Sequence, residues 1–281
     1  MMRLRSLLFV PGDRPERMEK ALGAGADALI LDLEDSVAPA AKAAAREHVA
    51  AFLARPRDHG VAILVRVNPL GSSDVDADIA AVAPPRADAV MLPKAEGSDS
   101  VLDLAARLWS HGSRAPILPI ATETPAAMFR LGSYRDVAKH LLGLTWGAED
   151  LPAALGAATS RDEQGLLLPT YEMARSLTLL GAHAAEIAAI ETVYPDFRNV
   201  DGMTAYAQRA ARDGFTAMMA IHPSQVAIIN AAFSPSESQL AHAASIVAAF
   251  DANPGAGALQ LDGKMIDAPH LKQAQALLAR A

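Results

Sequence analysis

Apolar residues gather into short runs along this chain, each followed by a turn and then an Ala-rich segment of helical periodicity. The runs are RSLLFVP (5–11), ALILDLED (28–35), AILVRVN (62–68), AVMLP (89–93), ILPIATE (117–123), LLGLTWG (141–147), EIAAIETVY (186–194) and AMMAIHP (217–223). Successive runs start 23, 34, 27, 28, 24, 45 and 31 residues apart. Most intervals suit one strand, one helix and two short loops. The long interval leaves room for an extra loop and a longer helix, expected over 162–181. Nearly continuous apolar strands alternating with helices predict a parallel sheet covered by helices. Eight such units favour closure into a barrel, and no Gly-x-Gly-x-x-Gly follows the first run to support a dinucleotide-binding sheet. The expected fold is α/β, a (β/α)8 TIM barrel.

Beyond the eighth run, IHPSQVAIINAAF predicts a short helix. SPSESQLAHAASIVAAFDANPG predicts a capped helix that starts at Ser-x-Ser-Glu and ends at Asn-Pro-Gly. The tail ALQLDGKMIDAPHLKQAQALLARA predicts a polar turn around Asp262 and a final amphipathic helix. A catalytic barrel over 1–232 and a C-terminal helical extension over 233–281, serving as a lid or intersubunit arm, is the expected division.

Composition narrows the class. Hydrophobic residues make up 51% and aromatics 5%, a layered α/β composition. No apolar stretch reaches the roughly 20 residues of a membrane span. The N-terminal apolar run stops at Pro11-Gly12 and reads as a first strand, not an export signal. A net charge of −7 with scattered Arg and Lys argues against nucleic acid as a partner. The absence of cysteine removes disulfide and thiolate chemistry and fits a cytoplasmic protein.

The polar interruptions carry the functional reading. Active sites of such barrels lie at the C-terminal strand ends, and charges inside a barrel are expensive unless paired or bound. Asp13 follows the first strand, and Glu34 and Asp35 end the second, with Asp32 on Glu34's face. Arg66 and Asn68 end the third, Lys94 the fourth, Glu123 the fifth, and His222 the eighth; Glu149 and Asp150 follow the sixth. Glu123 and Asp150, with no cysteine and few histidines nearby, suit a hard cation such as Mg2+. Arg66 suits a substrate carboxylate or a developing oxyanion, or a structural ion pair with Asp32 or Glu34. His222 suits a loop, a cofactor contact or a core histidine bonded to backbone. Trp146 and Met218-Met219 read as packing, and His183, His242 and His270 carry no ligand spacing.

In order along the chain, SLLFVPGDRPERMEKA, LILDLEDSV, LVRVNPLG, VMLPKAE, ATETPAA, WGAEDLPAALGA, YPDFRNVDG, AIHPSQV and LDGKMID resemble the citrate lyase β-subunit-like acyl-CoA lyases. Malyl-CoA and citramalyl-CoA lyases are among that family's members. The resemblance covers residues 5 to 281 and implies a (β/α)8 barrel with a C-terminal extension. It implies that Glu123 and Asp150 hold Mg2+ and that Arg66, Glu123, Gly147 and Ala148 contact the substrate. Asp267 would do acid–base chemistry from the lid, usually that of a neighbouring subunit, with Glu34 and Asp35 supporting Arg66 or a metal-bound water. The nucleotide end of CoA would lie near Phe9, Arg17 and Lys20. The implied reaction is cleavage or formation of a short 3-hydroxyacyl-CoA, such as citramalyl-CoA or malyl-CoA, to or from acetyl-CoA and a 2-oxo acid. Alternatives are an acyl-CoA thioesterase on the same site, a class II pyruvate-type aldolase, or a citryl-CoA lyase subunit of a multi-subunit citrate lyase. The implied partners are small molecules, with no nucleic acid and no membrane, in a homo-oligomer (trimer or hexamer).

Overall fold

The computed structural model describes residues 4–56, 60–84 and 86–279. Eight short parallel strands form one sheet: β1 (Ser6–Pro11), β2 (Ala28–Asp32), β3 (Ala62–Arg66), β4 (Ala89–Leu92), β5 (Ile117–Pro119), β6 (Gly143–Thr145), β7 (Ala188–Glu191) and β8 (Ala217–Ala220). Their lateral order is β5-β4-β3-β2-β1-β8-β7-β6. The two outer strands meet through parallel bridges at Ile117–Leu141 and Ile120–Thr145. Backbone bonds from Leu142 N to Ile117 O (2.9 Å) and from Ala121 N to Thr145 O (2.8 Å) complete a nearly closed barrel.

Alternation along each strand explains the interior. Leu7, Ile30, Leu64, Met91, Leu118, Ile190 and Met219 belong to one buried cluster, with small Ala28, Ala62, Ala89 and Ala217 filling the space between them. The intervening residues, such as Leu8, Leu29, Ile63 and Val90, are also buried and pack outward toward the helices. Those helices are α1 (Pro15–Ala21), α2 (Lys42–Leu53), α3 (Val75–Val82), α4 (Ser98–Ser110), α5 (Pro125–Met128), α6 (Asp150–Leu155), α7 (Pro169–Ala184), α8 (Val200–Asp213) and α9 (Pro223–Ala232). Each longer helix buries one stripe: α4 turns Val101, Leu104 and Leu108 inward, and α8 turns Met203, Tyr206, Ala207 and Ala210 inward. No helix among the described residues is long and apolar enough to cross a membrane.

The chain divides into two compact units, Met1–Asn230 and Ala231–Ala281. The second contains α10 (Glu237–Asp251), a hairpin of β9 (Ala258–Leu261) and β10 (Lys264–Asp267), and α11 (Ala268–Leu278). Ser236 caps α10 in a capping box with Gln239. Ala243, Ile246, Ile266 and Ala274 form this unit's own small core.

One expectation is corrected and another is sharpened. The helix expected over 162–181 begins only at Pro169, where proline suits the first helical position. Residues before it form a turn held by Asp162, whose side chain accepts from the backbone N–H groups of Gln164 and Leu166, with Gly165 at φ 76°. The expected polar turn in the tail is the tip of a hairpin, with Asp262 (φ 49°) and Gly263 (φ 76°) both left-handed, a two-residue connection whose twist matches the strands.

Gly143 shows how tightly the strands approach. A Cβ there would lie 2.6 Å from the Ala188 carbonyl oxygen on the paired strand. Gly143→Ala should therefore lower the unfolding free energy by about 1–3 kcal/mol in urea denaturation. Gly71→Ala, where nothing lies within 4 Å, should stay within about 0.5 kcal/mol of wild type.

Candidate active site

The residues that end the strands meet at one mouth. A cavity of about 430 Å3 opens there, lined by Phe9, Asp32, Asp35, Arg66, Glu123 and Asp150 among others. Gly147 and Ala148, which follow β6, also line it, as do Trp146 and Met219.

Arg66 is the first fixed point. Asp32 and Arg66 are direct partners across β2 and β3. The guanidinium donates from Nε and Nη2 to the two Asp32 oxygens, both at 2.7 Å. Its Nη1 faces Glu34 Oε2 at 2.8 Å and Asp35 Oδ2 at 3.7 Å. Its plane sits 4.9 Å from the centre of the Phe9 ring. Burial alone would push Asp32 up and Arg66 down. Their mutual hydrogen bonds and charge attraction, with the Ser36 and Glu34 N–H groups on Asp32 and the Glu34 and Asp35 carboxylates near Arg66, hold Asp32 below and Arg66 above their ordinary values. Both readings of Arg66 thus meet at one place, because it is ion-paired and also lines the cavity.

Glu123 is the second. It is 3% exposed, and its Oε2 accepts from the backbone N–H of Lys94 at 2.5 Å. Burial, reinforced by the nearby Asp150 and Glu34 carboxylates, pushes Glu123 up to about 8. Gly147 makes room for it, since a Cβ there would stand 2.7 Å from Glu123 Cγ. Lys94 Nζ lies 3.0 Å from Glu34 Oε1 and 3.2 Å from Asp150 Oδ1. The lysine is therefore held firmly charged: burial opposes the charge, but the Glu34 hydrogen bond and the attraction of Glu34, Glu123 and Asp150 together outweigh it.

This wall suits a hard cation. It offers oxygen donors only and carries acidic charge that burial disfavours. No group of three or more His, Asp or Glu fit to hold a metal occurs among the described residues. A cation here would therefore draw on Glu123 and Asp150 and leave other positions to water or substrate, the habit of Mg2+.

The remaining expected residues fall elsewhere. Arg17 and Lys20 are exposed on α1, one turn apart, and do not line the cavity that Phe9 lines. Asp267 lies in the second unit as the N-cap of α11, with its Oδ1 2.5 Å from His270 Nδ1. That contact holds the Asp267 carboxyl below its usual range. His222 is not a core histidine, because it is exposed and its ring stacks on Phe197 at 4.5 Å. Trp146 does more than pack: its Nε1 donates to the buried Glu191 at 2.5 Å. Residue-by-residue reading left Lys94 and His270 without a role. The signal for Lys94 was its place at a strand end, and for His270 its spacing of three from Asp267 at a helix start.

The geometry defines an α/β-barrel protein with an acidic, arginine-anchored mouth suited to small anionic ligands. The chain belongs to the HpcH/HpaI aldolase/citrate lyase family, whose model matches residues 5–223. It is 38% identical over 274 residues to the citrate lyase subunit beta-like protein of Mycobacterium tuberculosis, covering 98% of this chain and 94% of that one. It is 33% identical over 282 residues to a (3S)-malyl-CoA thioesterase of Cereibacter sphaeroides, covering 99% and 94%. A crystal structure of CitE from Mycobacterium tuberculosis in complex with magnesium, acetoacetate and coenzyme A superposes with a TM-score of 0.85 at 36% identity, covering 99% of this chain and 98% of that one.

Removing Arg66 should expose the cost of the buried acids. Arg66→Leu leaves Asp32 and Glu34 without their shared cation and should cost about 3–5 kcal/mol at neutral pH. In wild type the depressed Asp32 contributes stability that is complete above its unfolded value and lost as pH falls through its lower folded value. In the variant, burial, the largest influence on Asp32, is opposed only by the Glu34 and Ser36 N–H groups and raises it, so protonation relieves the penalty. The stability gap to wild type should therefore narrow as pH is lowered from about 7 toward 5, measured by urea unfolding.

Proposed function

We propose that this chain is a Mg2+-dependent carbon–carbon lyase that cleaves, or forms, a short 3-hydroxyacyl-CoA such as citramalyl-CoA or malyl-CoA, with acetyl-CoA and a 2-oxo acid as the other side of the reaction. The observation that carries this reading is the convergence of Glu123, Asp150 and Arg66 on one cavity. The likeness to CitE bound to magnesium, acetoacetate and coenzyme A supports it.

Glu123 and Asp150 would hold the cation, which when bound would supply Lewis acidity and a template for the substrate's carboxylate and hydroxyl oxygens. Arg66, already aligned by Asp32 and Glu34, would stabilise negative charge on the reacting oxygen. Gly147 and Ala148 would form the wall against which the small acid rests. In the cleavage direction the hydroxyl proton must leave, and Asp35, exposed and lining the cavity, is the carboxylate assigned to take it. The bond to the thioester α-carbon then breaks, its electron pair stays on that carbon as an enolate, and a 2-oxo acid forms. Asp267 is assigned the return of a proton to that carbon, and its removal in the condensation direction. Phe9 would give CoA an apolar wall, and Arg17 with Lys20 would meet its phosphates.

We take the protein to be cytoplasmic and homo-oligomeric. Met173, Leu177 and Leu180, spaced to share one face of α7, are 58%, 36% and 64% exposed and support the oligomer. A second reading, thioesterase chemistry in which water attacks the acyl carbon and CoA leaves, is favoured by the similarity to the (3S)-malyl-CoA thioesterase.

Incubation with malyl-CoA or citramalyl-CoA, with Mg2+ or with EDTA, tests the reading by product chromatography. Acetyl-CoA with glyoxylate or pyruvate, lost in EDTA, is the expected result; free CoA with the hydroxy acid would assign the thioesterase instead. No turnover of either by folded, metal-supplied protein would overturn both. Asp267→Asn should lower kcat by about 10²–10⁴-fold and suppress exchange of acetyl-CoA methyl protons with deuterated water, without weakening metal binding.

A further inference from the structure

Lys94 has no part in the chemistry above, yet three contacts converge on it. Its backbone is left-handed, at φ 50°, a conformation uncommon outside glycine. Its N–H reaches Glu123 Oε2 while its ammonium faces Glu34 and Asp150. It does not line the cavity, so it acts on the site through these acids and not on substrate. One residue thus ties together three carboxylates that follow β2, β5 and β6.

An ammonium and a divalent cation drawn to the same carboxylate repel each other, and the low dielectric of a partly buried site strengthens that repulsion. Asp150 is the shared partner. Glu34, 4% exposed and also held by Arg66, is the partner the ammonium keeps when a metal takes Asp150. We propose that Lys94 is a positioning residue that serves as the resident counter-cation of the site, bridging Glu34 and Asp150 in the metal-free protein and competing with the divalent cation for Asp150. This rests on Glu123 and Asp150 being the metal ligands.

The test is Mn2+ binding to the full-length protein without substrate, read from the paramagnetic resonance signal of free Mn2+, for wild type, Lys94→Gly, Lys94→Met and Lys94→Arg. Glycine takes the left-handed backbone without strain and keeps the N–H that serves Glu123, so it removes the ammonium with its stem, and Met, which keeps most of the stem, removes the charge. The Gly and Met variants should bind Mn2+ about tenfold more tightly than wild type. The Arg variant, which keeps the charge, should stay within about threefold of wild type. Without metal the Gly variant should melt below wild type, and added Mn2+ should raise its Tm by more than it raises that of wild type. Unchanged or weaker Mn2+ binding in the Gly variant, with an unchanged circular dichroism spectrum, would overturn the proposal while leaving the metal reading standing. Failure of wild type itself to bind Mn2+ would overturn the metal reading, and this proposal with it. If the Met variant does not fold, the Gly and Arg variants decide.

Discussion

The apolar interior of the barrel gives way where Asp32 and Arg66 face each other on adjacent strands, and a run of paired charges begins at that level. A buried guanidinium is tolerable only when it is saturated with hydrogen bonds, and Asp32 supplies two of them. From this pair an alternating series runs around the mouth: Arg66 to Glu34, Glu34 to Lys94, Lys94 to Asp150, with the Lys94 backbone turned to Glu123. Each charge is held by its neighbours of opposite sign, so the geometry of the acidic wall depends on the arginine three contacts away along the series. Phe9 beneath the guanidinium separates this polar layer from the apolar core.

A second network, on the outer face of the strands, holds the other side of the mouth. Glu191 at the end of β7 is fully buried and accepts from Trp146 Nε1, from Tyr206 Oη and from Arg175 Nε. Arg175 in turn reaches Asp213 at 2.8 Å. Trp146 directly precedes Gly147 and Ala148, so this network fixes the segment that gives Glu123 its space. The two networks share no residue, yet both act on the loop after β6. That loop therefore has its backbone set by packing and its carboxylate set by charge.

Much of this was legible in the sequence, for identifiable reasons. The eight apolar runs mark the eight strands because parallel barrel strands are buried on both faces. The polar residues that end those runs, Arg66 and Glu123 above all, mark the mouth because charge at the inward-facing end of a core strand needs a partner or a ligand, although Glu191 at the end of β7 serves the outer face instead. Strand ends were less legible: the apolar runs continue past the ladders, as at Leu33, whose N–H still reaches Arg66 O at 2.9 Å although β2 has ended. The start of α7 was hidden because the apolar run Leu166-Leu167-Leu168 leads directly into the helix, while the Asp162 turn that precedes it depends on side-chain bonds. Pairings such as Asp267 with His270 or Lys94 with three acids are three-dimensional facts. A lysine after a strand looks the same whether it meets solvent or carboxylates.

The central claim is that the acidic wall at the barrel mouth is a divalent-cation site that presents small oxo acids to Arg66. The most direct measurement is anomalous diffraction from crystals of the protein soaked in Mn2+ with a 2-oxo acid such as pyruvate. The account predicts the strongest anomalous peak within coordination distance of a Glu123 and an Asp150 carboxylate oxygen, with the oxo acid beside it in reach of Arg66. A peak away from those carboxylates, or no peak in crystals whose mouth is open to solvent, would contradict it.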